Sequence, residues 1–208
     1  MFKKSGFKDP RIKRLEMEHQ LMKELAASSE YIDFEVVDQR TGMPPDKYLV
    51  HYSLKSIIGV REDSSPIYGE RHTAQIKLPQ GYPLTSAPSC YMKTDAWHPN
   101  IKFAGETKGH ICINDFVIGH WYTIDMVVKQ IGEMLQYKNY HALHILPYPE
   151  DTMVASWVRD YAEPRGIVDL KKNIYADDKI LIQPTQKWTS SRKKKSMIKI
   201  LNYRKNIR

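Results

Sequence analysis

Cys112 follows Asn100 by twelve residues, and a thiol with a carboxamide close by has the groups needed for acyl transfer. A cysteine thiolate can attack an acyl carbonyl and hold the acyl group as a thioester. An amide N–H can stabilise the oxyanion that forms during such an attack. Asn100 could instead brace its own loop through hydrogen bonds to the backbone, and at the level of sequence both roles stay open.

The second cysteine of the chain, Cys90, stands in a setting that predicts a different role. It falls in the strand-like run Ser-Cys-Tyr-Met, which predicts a small buried side chain. Cys112 has glycine and polar residues on its N-terminal side and is the better candidate for a reactive thiol. A cysteine taken by itself is more often buried and inert, so its assignment depends on the surrounding scaffold.

The first part of that scaffold is a helix followed by a meander of strands. Asp9 and Pro10 predict the start of a helix that reaches about Ala27, because Asp caps free amides and Pro suits the first turn. Alternating apolar and polar residues with short links then predict four antiparallel strands. The four segments are residues 31–38, 48–57, 71–78 and 89–94.

The second part of the scaffold is a long loop followed by at least two helices. The loop spans residues 95–122, and a loop of about 28 residues in a compact domain is typical of a functional segment. Thr123 is expected to cap the next helix, and a further predicted helix carries Met153 to Tyr161. Beyond it the pattern weakens, and a short strand at 179–182 and a basic helix or disordered arm at 192–206 are expected. This order of elements predicts an α+β fold with the helices on one face or at the ends of the meander.

Five motifs on this scaffold resemble those of the ubiquitin-conjugating enzyme family. They are, in order, Tyr82-Pro83 with Ala87-Pro88, His98-Pro99-Asn100, Gly109-His110-Ile111-Cys112, Trp121 and Pro149-Glu150-Asp151. The resemblance covers roughly residues 8–164. It implies a catalytic domain over residues 1–166 and a divergent C-terminal extension with a basic tail over residues 167–208.

The resemblance also implies a reaction and roles for the site residues. Cys112 would accept a ubiquitin-like modifier from an activating enzyme as a thioester and pass it to a lysine or another amine of a protein substrate. Asp151 would orient or partly desolvate the incoming amine, or would only cap the following helix. His98 and Pro99 are expected to be structural, and Trp121 is expected to pack under the active-site loop. His110 could tune the pKa of Cys112, although a solvated loop residue is the favoured interpretation.

The basic start of the chain has a family counterpart as well. In the family the first helix docks the activating enzyme through basic residues, and a solvated helix face is the alternative interpretation. The candidates in this chain are Lys4, Lys8, Arg11, Lys13 and Arg14. Neither a metal nor another cofactor is expected.

The chain departs from the family between Asn100 and Cys112, which are about four residues further apart than in common eukaryotic members. The extra residues fall in 102–108. This divergence resembles the stand-alone bacterial conjugating enzymes, which are encoded beside a modifier and an activating enzyme, often in antiviral defence operons. A non-catalytic modifier-binding or scaffold protein of the same fold is the alternative.

Charge and composition bound the remaining alternatives. The chain carries a net charge of +8, but residues 187–208 hold nine Lys/Arg and no Asp/Glu, which leaves the rest at −1. Binding of nucleic acid is therefore expected only through that tail. No apolar run is long enough to span a membrane and no secretory signal is visible, which predicts a cytoplasmic protein. A zinc site is a weaker alternative, built from His98, His110, Cys112 and His120.

Overall fold

The computed structural model describes residues 9–113 and 121–169. Its helices and strands are, in chain order, α1 (Pro10–Ser28), β1 (Ile32–Val36), β2 (Lys47–Val60), β3 (Pro66–Lys77), β4 (Ser89–Met92), α2 (Ile124–Leu135) and α3 (Thr152–Trp157). α3 continues into a π-helical turn, Val158–Ala162. The predicted N-terminal helix, four strands and later helices are confirmed.

The four strands form one antiparallel sheet in the order β1-β2-β3-β4, as a meander requires. Pairing of β2 with β3 continues to Val60 and Pro66, so β3 begins inside the segment 61–69 that the sequence predicts to be a turn. The register shifts between Ser53 and Ser56 and again between Ile57 and Gly59. These irregularities interrupt the alternation of apolar and polar residues. The alternation therefore does not predict the part of the β2–β3 hairpin nearest its turn.

The main core lies between the sheet and the two helices α1 and α2. One face of β2 is fully buried and packs against α2, where Tyr52 donates a hydrogen bond to the Val128 carbonyl at 3.0 Å. Apolar residues of α2 recur at one-face spacing, which explains why this helix lies flat on the sheet. The buried α2 residues are Ile124, Val127, Val128, Ile131, Gly132, Met134 and Leu135.

A second apolar cluster lies under α3 and the loop that precedes it. Trp97 packs edge-on against Trp157, with ring centroids 6.1 Å apart, and Tyr137 donates a hydrogen bond to the Trp97 carbonyl. Val168, close to the end of the described residues, is buried in the same cluster. The second cluster therefore anchors the loop after α2 and the last helix to the segment that leads into the His-Pro-Asn motif.

A buried polar group, here called the helix network, joins α1 to the start of α2. Glu18 is fully buried, and its carboxylate accepts hydrogen bonds from Arg14 at 2.5 Å, from the Tyr82 hydroxyl at 2.6 Å and from the Ile124 backbone N–H at 2.8 Å. Burial lowers the pKa of Arg14, but its bonds to Glu18 and Tyr82 outweigh that effect and raise it overall. The network thus keeps one ion pair and satisfies a free amide at the N-terminus of α2.

That amide was expected to be satisfied differently, because Thr123 precedes α2 and resembles a cap. Thr123 is the residue before the helix, but its side chain makes no capping bond to the helix backbone and bonds to Asp125 instead. A carboxylate from α1 replaces the local cap, and a contact between residues 106 positions apart leaves no local signal in sequence.

Several sequence-based expectations lie outside the described residues. These are Lys4 and Lys8, the short strand expected at 179–182 and the basic helix or arm expected at 192–206. Among the helices of the described part, none is long and apolar enough to cross a membrane.

Candidate active site

Cys112 lies in a short extended segment held on both sides by backbone hydrogen bonds. On one side the Ile111 N–H donates to the Cys90 carbonyl of β4 at 3.0 Å. On the other the Cys112 N–H donates to the Asn100 carbonyl at 2.9 Å. Side chains alternate along such a segment, and Ile111 and Ile113 belong to the main core while Cys112 does not. Cys112 and His110 therefore lie on the face turned away from the core.

The extra residues 102–108 do not push Asn100 away from Cys112. They form a closed loop, because the Gly109 N–H donates to the Lys102 carbonyl at 2.7 Å and the Lys102 N–H donates to the His110 carbonyl at 2.9 Å. Gly109 completes the closure with a φ of 88°, and a side chain there would collide with the Met92 carbonyl oxygen. The insertion is accommodated as a side loop, and the backbones on either side of it are directly paired.

The Asn100 side chain is fully buried and is held by the loop after α2. Its Oδ1 accepts a hydrogen bond from the His141 backbone N–H at 2.9 Å, and its Nδ2 lies 3.1 Å from His141 Nδ1. Burial lowers the pKa of His141, which keeps its ring neutral and lets Nδ1 accept from the amide. His141 in turn stacks on Tyr148, with ring centroids 4.1 Å apart. These contacts support the bracing alternative for Asn100.

His98 is buried in the turn that carries Asn100. Its Nδ1 accepts the Asn100 backbone N–H at 3.1 Å, as expected for a ring that bonds the backbone. Burial lowers the pKa of His98 from 6.5 to about 3, so the ring is neutral at neutral pH. The carbonyl of Pro99, the next residue, accepts the Asp151 backbone N–H at 3.0 Å. The His-Pro-Asn turn is thus a fixed support for the segment beside Cys112.

Asp151 is buried and caps α3. One carboxylate oxygen accepts the backbone N–H groups of Met153 at 3.1 Å and Val154 at 3.2 Å, and the other accepts that of Phe103 at 3.0 Å. These bonds join the start of α3 to the loop around residue 103. Both oxygens are engaged by backbone amides, which supports the capping alternative for Asp151 over the orientation of an amine.

The thiol face, defined as His110, Cys112 and the adjacent Glu150, contains an ion pair that sequence reasoning missed. His110 Nδ1 lies 2.9 Å from Glu150 Oε1. The two side chains are 39% and 22% exposed, whereas Cys112 is 6% exposed. His110 is thus partly exposed, as expected for a solvated loop residue, and it also has a partner that the sequence did not indicate. No local signal in sequence joins residues 40 positions apart.

Trp121 differs from its expected place under the active-site loop. Its side chain is 57% exposed, and its ring contacts that of Tyr122 at a centroid distance of 5.8 Å. The neighbouring Tyr122 takes the buried position instead and bonds to Gln130 of α2. Within the described residues, Trp121 is therefore a surface residue at the entrance to α2.

The basic residues that the predicted docking set places on α1 divide into partly buried and exposed ones. Arg11 donates to the carbonyls of Pro79 at 2.8 Å and Leu78 at 3.2 Å, and Arg14 belongs to the helix network. Both guanidinium groups donate hydrogen bonds that hold α1 in place, because buried carbonyls and carboxylates need donors. Lys13 is exposed and stays a docking candidate.

The predicted zinc alternative gains no support from the described residues. Within residues 9–113 and 121–169, no three His, Cys, Asp or Glu side chains are grouped closely enough to hold a metal ion. His120, the fourth proposed ligand, lies outside them. His98 and His110 are each committed to another partner within the described part of the chain.

Comparison with known proteins agrees with the fold. The family model described as ubiquitin-conjugating enzyme matches residues 21–151, which is more than half of the chain. The chain belongs to the ubiquitin-conjugating enzyme family, as its motifs indicate. No curated protein matches the chain. Family membership makes it a conjugating enzyme of the transferase type and implies a ubiquitin-like modifier and an activating enzyme as partners in general terms.

Proposed function

We propose that the protein carries a ubiquitin-like modifier as a thioester on Cys112 and transfers it to a lysine or another amine of a protein substrate. The activating enzyme supplies the modifier by exchange of its own thioester with the Cys112 thiol. A thioester suits this carrier because it stays reactive towards amines. Asn100, His98 and Asp151 serve the reaction in this proposal by fixing the segments around Cys112.

One observation carries the proposal: both cysteines are buried, but Cys112 stands outside the main apolar cluster whereas Cys90 lies inside it. Cys90 is 1% exposed, and burial raises the pKa of its thiol to about 12. A thiol with so high a pKa forms almost no thiolate near pH 7 and is a poor nucleophile. The Cys90 carbonyl accepts the backbone N–H of Ile111, the residue before Cys112, yet the Cys90 side chain lies in the main core and that of Cys112 is on the other face of its segment. This difference supports Cys112 as the carrier.

The test compares the two cysteines in the same charging reaction. The full chain is incubated with ATP, the modifier and the activating enzyme, and a thiol-sensitive adduct is followed on non-reducing gels. We expect wild type and Cys90→Ala to form the adduct, and Cys112→Ala to form none. Cys112→Ser should give a slower adduct that resists thiols, because an ester replaces the thioester.

Adduct formation by Cys112→Ala would overturn the proposal. If Cys90→Ala forms no adduct while circular dichroism shows an intact fold, Cys90 would be the carrier. That result would also contradict the proposal.

We further propose a bacterial setting, a role in antiviral defence, and nucleic-acid contact only through residues 187–208. The departures at residues 102–108 support the first part, and the nine positive charges of the tail support the last. Neighbouring genes for a modifier and an activating enzyme would support the setting, and their absence would count against it. A salt titration of nucleic-acid binding with and without the tail tests the last part.

A further inference from the structure

We propose that His110, positioned by Glu150, is the general base for transfer of the acyl group from Cys112 to an amine. This inference rests on the proposed function, since it concerns the second step of the same reaction. It assigns a catalytic role to His110, which would touch the attacking nitrogen, and a positioning role to Glu150.

The placement of His110 follows from the backbone. His110 and Cys112 are two residues apart in an extended segment, which puts their Cα atoms about 7 Å apart with both side chains on one face. Between them Ile111 turns into the core and is 2% exposed. An amine that attacks an acyl group on Cys112 must approach from the outer face. The His110 ring therefore lies beside the path of the nucleophile.

Glu150 fixes which ring nitrogen of His110 can take a proton. An ionised carboxylate only accepts hydrogen bonds, so the 2.9 Å contact requires a hydrogen on His110 Nδ1. In the neutral ring Nε2 is then the nitrogen with a lone pair. Tyr91 of β4 packs its ring against that of His110, with centroids 5.3 Å apart, and limits its rotation. The ring is thus held in one tautomer and one orientation.

The other polar residues near the thiol are committed to structural contacts. His98 and His141 each use Nδ1 to hold Asn100, and Asp151 uses both carboxylate oxygens to accept backbone amides. The ring of His110 is bonded at Nδ1 to a side chain and is 39% exposed. His98 is buried, and His141, although exposed, accepts the Asn100 amide at Nδ1 and so carries its hydrogen on Nε2. Among the described histidines that surround this segment, His110 is therefore the one that has both partial exposure and a lone pair on Nε2.

The proposed step balances as follows. The neutral amine attacks the thioester carbonyl carbon of the acyl group on Cys112, and a C–N bond forms. The nitrogen of the tetrahedral adduct loses a proton to His110 Nε2. The C–S bond then breaks, the electron pair leaves with sulfur, and the products are an amide, the Cys112 thiolate and an imidazolium paired with Glu150. The proton later passes to solvent or to the thiolate.

Two titratable side chains are in contact with His110, Tyr91 of β4 and Glu150 of the loop before α3. Cys112 lies on the same face of its own segment, Lys102 is the backbone partner of His110, and Asp151 is the residue after Glu150. The Lys102 ammonium lies 3.8 Å from the Asp151 carboxylate, so these two opposite charges partly neutralise each other. Glu150 is the acidic group in direct contact with the ring and stabilises the imidazolium after proton transfer.

The experiment uses a small acyl probe so that it does not depend on the identity of the modifier. Phenyl thioacetate acetylates Cys112 in the full chain by thiol exchange, excess reagent is removed, and loss of the acetyl group to free lysine is followed by intact mass. Wild type, His110→Gln, Glu150→Gln and the control His144→Gln are compared between about pH 5 and pH 8, the range in which histidine titrates. His144 is an exposed histidine of the same loop as Glu150.

The ratio of wild-type to His110→Gln rate constants isolates the base, because the concentration of neutral lysine is the same for both proteins at each pH. We expect this ratio to rise from about 1 at low pH to about 100 at high pH, the usual contribution of a general base. Glu150→Gln should fall between the two proteins, and His144→Gln should follow wild type. A ratio of 1 throughout would overturn the inference.

A ratio that differs from 1 but does not change with pH would also overturn it, since it would show a structural role. Failure of wild-type Cys112 to take up the acetyl group would contradict the proposed function itself. Normal uptake with a flat ratio would contradict only the role of His110.

Discussion

The helix network and the thiol face each contain an ion pair and each join distant parts of the chain, the first through the hydrogen bond from Ile124 to Glu18 and the second through the ion pair itself, yet they differ in exposure. In the helix network Glu18 is fully buried and Arg14 is 13% exposed at its side chain. On the thiol face His110 and Glu150 are 39% and 22% exposed. The first pair is sealed between two helices, and the second is open to solvent beside a cysteine.

This difference separates charges that hold the fold from charges that can take part in chemistry. A sealed pair cannot change its protonation state without a large cost in solvation, so it fixes the two helices in place. An accessible pair can gain and lose a proton and can meet a substrate. Arg14, His98, Asn100 and Asp151 make buried or partly buried contacts of the first kind, which fits the structural alternatives that the sequence left open for Asn100 and Asp151.

The largest expected effect is the loss of stability on breaking the helix network. Glu18→Ala leaves the Arg14 guanidinium and the Ile124 N–H buried without their acceptor. We expect a loss of about 3–5 kcal/mol in the free energy of unfolding, measured by urea denaturation. The control Glu24→Ala removes an exposed carboxylate of the same helix and should cost under about 0.5 kcal/mol. Equal losses of unfolding free energy in the two variants would show that the helix network does not stabilise the fold.

The bracing role of Asn100 gives the next largest effect. Asn100→Ala removes a fully buried side chain and leaves the part-buried His141 N–H without its acceptor, at a cost of roughly 1–3 kcal/mol. Because a brace positions Cys112 for both steps, charging and discharge to lysine should fall by the same factor in single-turnover assays. Charging that survives while discharge is lost would instead assign Asn100 the oxyanion role.

Much of this architecture is predictable from sequence, because the signals that predict it come from residues close together in the chain. Alternation along residues 48–57 and 71–78, the Asp9-Pro10 start and the apolar face of α2 all depend on neighbouring residues. The family motifs likewise place Cys112 between the meander and α2. Each of these signals is contained in a short stretch of chain.

What the sequence does not reveal depends on pairs of residues far apart in the chain. Glu18 replaces Thr123 as the partner of the α2 N-terminus, His141 occupies the amide of Asn100, and Glu150 meets His110. Each contact joins segments at least 40 positions apart. A single sequence has no periodicity that records such contacts. Residue type therefore predicted which residues form the candidate site, but the role of each side chain depends on its distant hydrogen-bond partner.

Acid sensitivity gives a further test, because the turn at His98 is sealed in the same way as the helix network. Burial lowers the pKa of His98 from 6.5 to about 3, so the unfolded chain binds the proton more tightly than the folded one between these values. The resulting stability is complete above about pH 6.5 and is lost as the pH falls. At pH 5 the loss attributable to His98 should be about 2 kcal/mol.

The measurement is urea unfolding of wild type and His98→Asn at pH 7.5 and pH 5. The variant should lose about 2 kcal/mol less than wild type on acidification, because Asn carries no proton to be taken up and can still accept the Asn100 N–H. His144→Gln, which removes an exposed histidine, should retain the wild-type loss. If His98→Asn loses as much unfolding free energy as wild type on acidification, His98 is not the buried neutral histidine that its contacts indicate.

The smallest expected effect concerns Lys13, the exposed candidate that remains on α1 after Arg11 and Arg14 are assigned to structural contacts. An exposed charge at the edge of an interface contributes about 0.2–1 kcal/mol, so Lys13→Ala should raise the KM for the activating enzyme by about 1.4- to 5-fold at low salt. The KM is read from initial charging rates. Salt screens exposed charges, and the difference should therefore shrink at high ionic strength.

Lys23 provides the matched control, since it is an exposed lysine ten residues further along the same helix. A local docking contact requires Lys13→Ala to raise KM while Lys23→Ala leaves it near the wild-type value. Equal effects of the two substitutions would indicate that only the overall positive charge of α1 attracts the activating enzyme. No effect of either would remove α1 from the docking surface, and the described basic residues of this helix would then belong, like Arg14, to the part of the molecule that holds the fold.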